Sequence, residues 1–274
     1  MWETGSWRER RWVGSAYRAY SQGKHTLQEL SLRYRVDKAT LRRNFDCYEP
    51  KNEPVVPASH PVPVVFDATF FGRDNGWLIF RVDGRNIYWK EIVSETLEIT
   101  SQALLHLKQS GWVFSSFTID GRRGVIRLIE SIFPSTPIQL CVFHQKAIIR
   151  RYLTANPKTP CGSEIKSLMS QMLDLDPDAF SQELTRIKKL YNDFLNEKNE
   201  AGYFVHRKLR SAIRSLTTNL PYFYTFARHP KLKIPNTTNS CDGSFAHWKS
   251  KVKIHRGLKK IRRAKMIRFL LKKP

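Results

Sequence analysis

The spacing of apolar residues changes period across a proline-bearing stretch, and this restricts the chain to two kinds of structure in series. Four prolines (Pro54, Pro57, Pro61, Pro63) follow Glu53. Proline fixes φ and donates no backbone hydrogen bond, so residues 50–63 read as a stiff, extended linker. Before the linker the apolar spacing is helical. After it, short continuous apolar runs bounded by turn residues read as buried strands.

Residues 1–49 form the first segment. Thr26-Leu27-Gln28-Glu29 is a capping box, in which Thr26 caps a helix and Glu29 bonds back to the Thr26 amide. Leu27, Leu30 and Tyr34 then share one face. That helix should end near Arg35-Val36, and Asp37 should cap the next one, which buries Leu41 and Phe45. Lys38, Thr40, Arg42 and Arg43 are left pointing outward. With an upstream helix around Val13–Gln22, ending at Gly23, this is a small all-α helix-turn-helix module. Its last helix suits a major groove, with Lys38, Thr40, Arg42 and Arg43 as the DNA contacts.

From residue 64 onward the reading is an α/β domain reaching 274. Val64–Phe71, Gly76–Val82 and Asn86–Val93 read as strands, the last two joined by the turn Asp83-Gly84. A helix over Ser94–Gln109, a strand Val113–Ile119, a helix Val125–Phe133 and a strand Ile138–Val142 follow. Residues 144 to about 228 read as almost wholly helical, with apolar spacing at Ile165, Leu168, Met169 and Met172 and at Phe180, Leu184, Ile187 and Leu190. A last helix should start near Thr238–Asp242.

Charge points to the partner. The 274 residues carry 47 Lys and Arg against 24 Asp and Glu, a formal charge of +23. A surface that positive attracts polyanions, and phosphate backbones are the commonest of these. No apolar run approaches the roughly 20 residues that span a bilayer, so no membrane partner is expected. Met1–Gly5 lacks a signal-peptide layout, and Cys47, Cys141, Cys161 and Cys241 show no CxxC pair or disulfide spacing. The expected location is therefore cytoplasmic and, in a bacterium, nucleoid-associated.

Three acids stand where an α/β enzyme places a metal site. Asp67 interrupts the apolar first strand, Asp120 ends the fourth, and Asp242 opens the last helix. A carboxylate on a buried element is costly unless it is paired or bound to metal, which makes Asp67 the most informative. Hard oxygen ligands suit Mg²⁺ or Mn²⁺, and a two-metal site would serve phosphodiester displacement. The blander roles are turn chemistry for Asp120-Gly121 and a helix-dipole acid for Asp242.

Four ordered segments carry a resemblance. Phe66-Asp67-Ala68-Thr69, Thr118-Ile119-Asp120-Gly121, Leu140-Cys141-Val142-Phe143-His144-Gln145 and Thr237-Thr238-Asn239-Ser240-Cys241-Asp242-Gly243 resemble, in order, motifs of the Mutator-like DDE transposases of bacterial insertion sequences. The third segment contains their C-x-x-H signature. Lys249-Ser250-Lys251 and His255-Arg256-Gly257-Leu258 resemble features downstream of these motifs. The resemblance covers about residues 64–260. It implies an RNase H-like catalytic domain over 64–274 with a large all-helical insertion at about 146–235. It also implies Asp67, Asp120 and Asp242 as catalytic, metal-binding residues, with Cys141 and His144 beside the active site. Asp242 stands where the family usually has Glu. A zinc site built from Cys141, His144 and Cys161 is disfavoured, because thiolate-imidazole sites usually show a second close pair.

The expected function is metal-dependent cleavage and transfer of DNA strands at transposon ends, on double-stranded DNA. A homodimer or larger assembly is expected, since two ends must be brought together. Two alternatives are a catalytically degenerate, transposon-derived DNA-binding protein and another RNase H-like nuclease. Tyr222-Phe223-Tyr224 with Phe226 reads as a helix-packing cluster, although related transposases stack a flipped base on an aromatic near this place. The tail from Gly243 holds twelve Lys and Arg and no acid. It reads as a helix packed through Ile254, Leu258, Ile261, Met266, Ile267 and Leu270. Lys249, Lys251, Lys253, His255 and Arg256 are its DNA contacts.

Overall fold

Two side-chain caps set the spacing of the first three helices. In the computed structural model, which describes residues 11–49, 55–255 and 257–272, these are α1 (Arg11–Ser21), α2 (Leu27–Tyr34) and α3 (Lys38–Cys47). The Thr26 hydroxyl accepts from the Glu29 amide, and the Glu29 carboxylate accepts from the Thr26 amide at 2.7 Å. Asp37 accepts from the amides of Ala39 and Thr40, each at 2.8 Å. Between the two caps Arg35 closes α2 in the left-handed region at φ 50, its amide reaching back to Leu32 and Ser31.

The remaining elements are β1 (Val62–Phe70), β2 (Gly76–Val82), β3 (Arg85–Ile92), α4 (Leu97–Gln109), β4 (Phe114–Ile119), α5 (Arg123–Ile132), β5 (Ile138–Leu140), α6 (Val142–Leu153), α7 (Pro160–Ser170), α8 (Pro177–Leu190), α9 (Asn192–Asn196), α10 (Arg207–Phe223), α11 (Thr225–Arg228), α12 (Asn239–Ile254) and α13 (Lys260–Leu271). The strands form one mixed sheet in the order β3-β2-β1-β4-β5. β2 and β3 pair antiparallel, whereas β1 with β4 and β4 with β5 pair parallel. The chain is thus an α/β protein. β1 begins at Val62, inside the stretch expected to be linker, and its register shifts between Val62 and Pro63. Proline is tolerated at such an irregularity because no ladder hydrogen bond is lost there. Residues 50–54 of that stretch lie outside the described residues.

The chain divides into two compact units. One contains residues 1–57, 68–95 and 240–274; the other contains 58–67 and 96–239.

In the first unit, α1–α3 do not close their core alone. Val13, Tyr17, Leu30, Leu41 and Phe45 are buried together with Phe269 from α13. Tyr17 meets the rings of Phe45 and Phe269 edge-on, both at 5.1 Å between centroids. Such edge contacts suit the ring quadrupole. The basic tail is two helices rather than one, broken after Ile254, with Gly257 at φ 81 before α13 begins. Met266, Ile267 and Leu270 are buried as expected of the tail, but Ile261 is 80% exposed. The β2–β3 hairpin turns through Asp83 and Gly84, both at positive φ, as a two-residue hairpin turn requires.

In the second unit, α10 and α11 pack on β5, and α4 packs on α5. α4 and α5 approach so closely at Gly124 that a Cβ there would lie 2.8 Å from the Leu97 side chain. Buried amides tie the helical region to β5. Gln139 donates to the Phe223 carbonyl at 2.8 Å and accepts from the Phe226 amide at 3.0 Å. Ile165, Leu168, Met169, Met172, Phe180, Leu184 and Ile187 are buried, while Leu190 is exposed. Phe223 and Tyr224 are core residues, and the Tyr224 hydroxyl donates to the Met172 carbonyl at 2.8 Å. The aromatic cluster is therefore packing at those two positions.

Candidate metal centre and nucleic-acid surfaces

Strand register brings the sequence motifs of the second unit to one edge. Val65 on β1 is opposite Thr118 on β4, and Ile119 on β4 is opposite Leu140 on β5. Continuing that register puts Asp67 level with Asp120, and Asp120 level with Cys141. Asp120 and Cys141 directly follow the last residues of β4 and β5, whereas Asp67 lies inside β1, two residues past Val65, the last residue paired with β4. Register partners also face the same side of a sheet. Ligands in open α/β sheets commonly bind outside these strand ends.

The segment before α12 is stitched across the same edge. Thr118 donates its hydroxyl to the Pro235 carbonyl at 2.6 Å, and the Val142 amide donates to the Asn236 carbonyl at 3.0 Å. Thr238 is fully buried, and its amide donates to the Cys141 sulfur at 3.2 Å. The Thr238 hydroxyl lies 3.4 Å from that sulfur and 3.2 Å from Nδ1 of His144. Burial alone would raise the Cys141 thiol. The hydrogen bonds from His144 and Thr238 outweigh it and hold the thiol below its ordinary range. Cys161 is buried in the first turn of α7, where burial first and then Glu164 push its thiol up to about 11.

His144, in the first turn of α6, is half-buried, as is Asp67. A ring nitrogen of His144 and a carboxylate oxygen of Asp67 lie within 4.8 Å of each other. Asp120 is also half-buried, and its Oδ1 accepts from the Arg122 amide at 3.3 Å, as in an Asx turn. Asp67 and His144 thus offer a carboxylate and an imidazole close enough to share a divalent ion. Holding one ring nitrogen by Thr238 orients the ring for ligation through the other. Asp242 belongs to the first unit, where it is half-buried in the first turn of α12.

Sequence reasoning placed Cys141 and His144 beside the acids but passed over Thr238, the residue that joins them. The signal was present in Thr237-Thr238, which reads as a lead-in to Asp242. Arg81 was also passed over. It lies in the all-buried strand β2, and its guanidinium donates to the Ser244 hydroxyl and the Gly84 carbonyl. No acid pairs with it among the described residues, and burial lowers its pKa.

Most of the expected DNA contacts lie on exposed surface. Lys38, Arg42 and Arg43 on α3 are exposed, as are Lys249 and Lys253 on α12; Lys251 is half-buried. Thr40 is half-buried, its hydroxyl donating to Asp37 at 2.6 Å and accepting from Arg43 at 3.1 Å. His255 is not on the face expected of it. It is buried, its ring 3.9 Å from that of Tyr20, with Nε2 2.8 Å from the Tyr20 carbonyl. Burial is the chief cause that lowers its pKa. This contact meets one of the carbonyls at the C-terminal end of α1 that the helix itself leaves without a partner. Arg256 lies outside the described residues.

Comparison with known proteins returns no matching family model and no matching curated sequence.

Proposed function

We propose that this chain is a metal-dependent DNA strand-cleaving and strand-transferring enzyme of the DDE transposase type, with an RNase H-like catalytic domain and a large helical insertion. The observation that carries the reading is a ring nitrogen of His144 within 4.8 Å of a carboxylate oxygen of Asp67 on β1, with Asp120 directly after the parallel neighbour β4. Asp67 and Asp120 would hold Mg²⁺ or Mn²⁺, with Asp242 as the third acid and His144 within reach. Bound there, the ions would stabilise charge on the attacking and leaving oxygens of a phosphodiester displacement. The chain's own residues orient this chemistry. Thr238 fixes the imidazole of His144, and the turn after β4 holds one oxygen of Asp120. The formal charge of +23 and the exposed cations of α3 and α12 support double-stranded DNA as the substrate. A homodimer or larger assembly on DNA, cytoplasmic and nucleoid-associated, follows from the same reading.

The test is cleavage of duplex DNA bracketed by the inverted repeats that flank the gene. The intact chain should cut in Mg²⁺ or Mn²⁺, whereas Asp67→Ala and Asp120→Ala should lose cutting but keep their melting temperature. DNA binding without cutting under either ion would favour the degenerate DNA-binding alternative. Equal cutting of duplexes lacking the repeats would favour a general RNase H-like nuclease.

A further inference from the structure

Cations from both ends of the chain meet in the first unit. A cavity of about 390 Å³ is lined by Tyr20, Arg42 and Asp46 from α1 and α3, and by Lys259, Arg262 and Lys265 from the start of α13. Asp46, the one acid in this lining, is already engaged: Arg262 grips both its oxygens at 2.8 and 2.6 Å. Lys265 is engaged too, with the Asp46 carbonyl at 2.7 Å and Glu49 at 3.0 Å. Arg42 and Lys259 remain. Both are exposed, and neither pairs with an acid among the described residues.

The start of α13 adds to this imbalance. Its first turn has no acid, and Lys259 at the cap makes no capping hydrogen bond. Lys259, Lys260, Arg262 and Arg263 all stand at the positive end of the helix, where anions rather than cations are stabilised. Of these, Lys260 is paired with Asp74 at 2.8 Å and Arg262 with Asp46. A cleft with partly apolar walls and a net positive lining concentrates its field on an incoming anion.

We infer that the mouth of this cavity is a phosphate site for duplex DNA, in which Arg42 and Lys259 hold the same stretch of backbone. The inference rests on the reading that DNA is the substrate, and it makes α13 the fourth helix of the DNA-reading module. Arg42 shares α3 with the exposed Lys38 and Arg43. A contact beside that helix therefore fixes its register on a duplex, as phosphate contacts do for groove-reading helices.

The experiment measures the affinity of the full chain for a random-sequence duplex across a salt series. Arg42→Gln and Lys259→Gln should each flatten the log–log salt dependence by about 0.9 per lost phosphate contact. Lys259→Arg should keep the wild-type slope, and Lys188→Gln with Lys189→Gln, at exposed positions of α8, should change nothing. An unchanged slope in Lys259→Gln, with the wild type still binding steeply, overturns the site and leaves the enzymatic reading standing. Equal losses on a single strand of the same length overturn the duplex assignment. Absence of duplex binding by the wild type overturns both.

Discussion

His144 and His255 serve the two units in different ways. His144 is half-buried at the strand ends, with Thr238 on one ring nitrogen and the Asp67 carboxylate within 4.8 Å. His255 is buried, and its Nε2 lies 2.8 Å from the carbonyl of Tyr20 at the end of α1. The first is oriented toward groups able to bind an ion; the second completes a core. Their surroundings differ in kind. The strand-end edge is built from polar groups held by backbone hydrogen bonds, while the four-helix module of α1–α3 and α13 has an aromatic interior and keeps its charge outside. A histidine's role is therefore set by what its second nitrogen meets.

The largest effect expected from this contrast is in the module. Phe269→Ala should cost about 3–5 kcal/mol, because it empties a site between buried rings. Thermal unfolding would measure the loss, and duplex binding should fall with it although Phe269 carries no charge. Normal stability in this variant would mean that α13 is not part of the module's core.

A smaller effect is expected on acidification. Burial depresses the folded-state pKa of His255 below its ordinary value, so the unfolded chain binds a proton more readily. The stability His255 contributes is full above the unfolded value of about 6.5 and is lost as pH falls through the folded value. Melting temperature should therefore drop between neutral and mildly acidic pH. The drop should be smaller in His255→Asn than in the wild type. Equal drops in both proteins would assign the pH dependence to other groups.

Local features were legible in the sequence wherever a few neighbouring residues decide the outcome. The Thr26–Glu29 capping box, Asp37 and the Asp83-Gly84 turn fall where the sequence puts them, because capping and turn chemistry act over four residues. The approximate strand bounds and the two acids were legible too, from short apolar runs interrupted by Asp67 and closed by Asp120. Long-range packing was not. Nothing near Phe269 signals that it will meet Tyr17, and nothing near His255 signals the carbonyl of Tyr20. For the same reason Ile261 and Leu190 were assigned to buried faces although both are exposed. Thr238 escaped notice because its two partners lie more than ninety residues earlier in the chain.

The central claim is that Asp67 and Asp120 belong to an ion site, and Mn²⁺ binding followed by titration calorimetry tests it without depending on DNA or turnover. The full chain should bind Mn²⁺, and Asp67→Ala and Asp120→Ala should each abolish or severely weaken that binding while the fold, followed by circular dichroism, stays intact. Undiminished Mn²⁺ binding in both variants would contradict the claim.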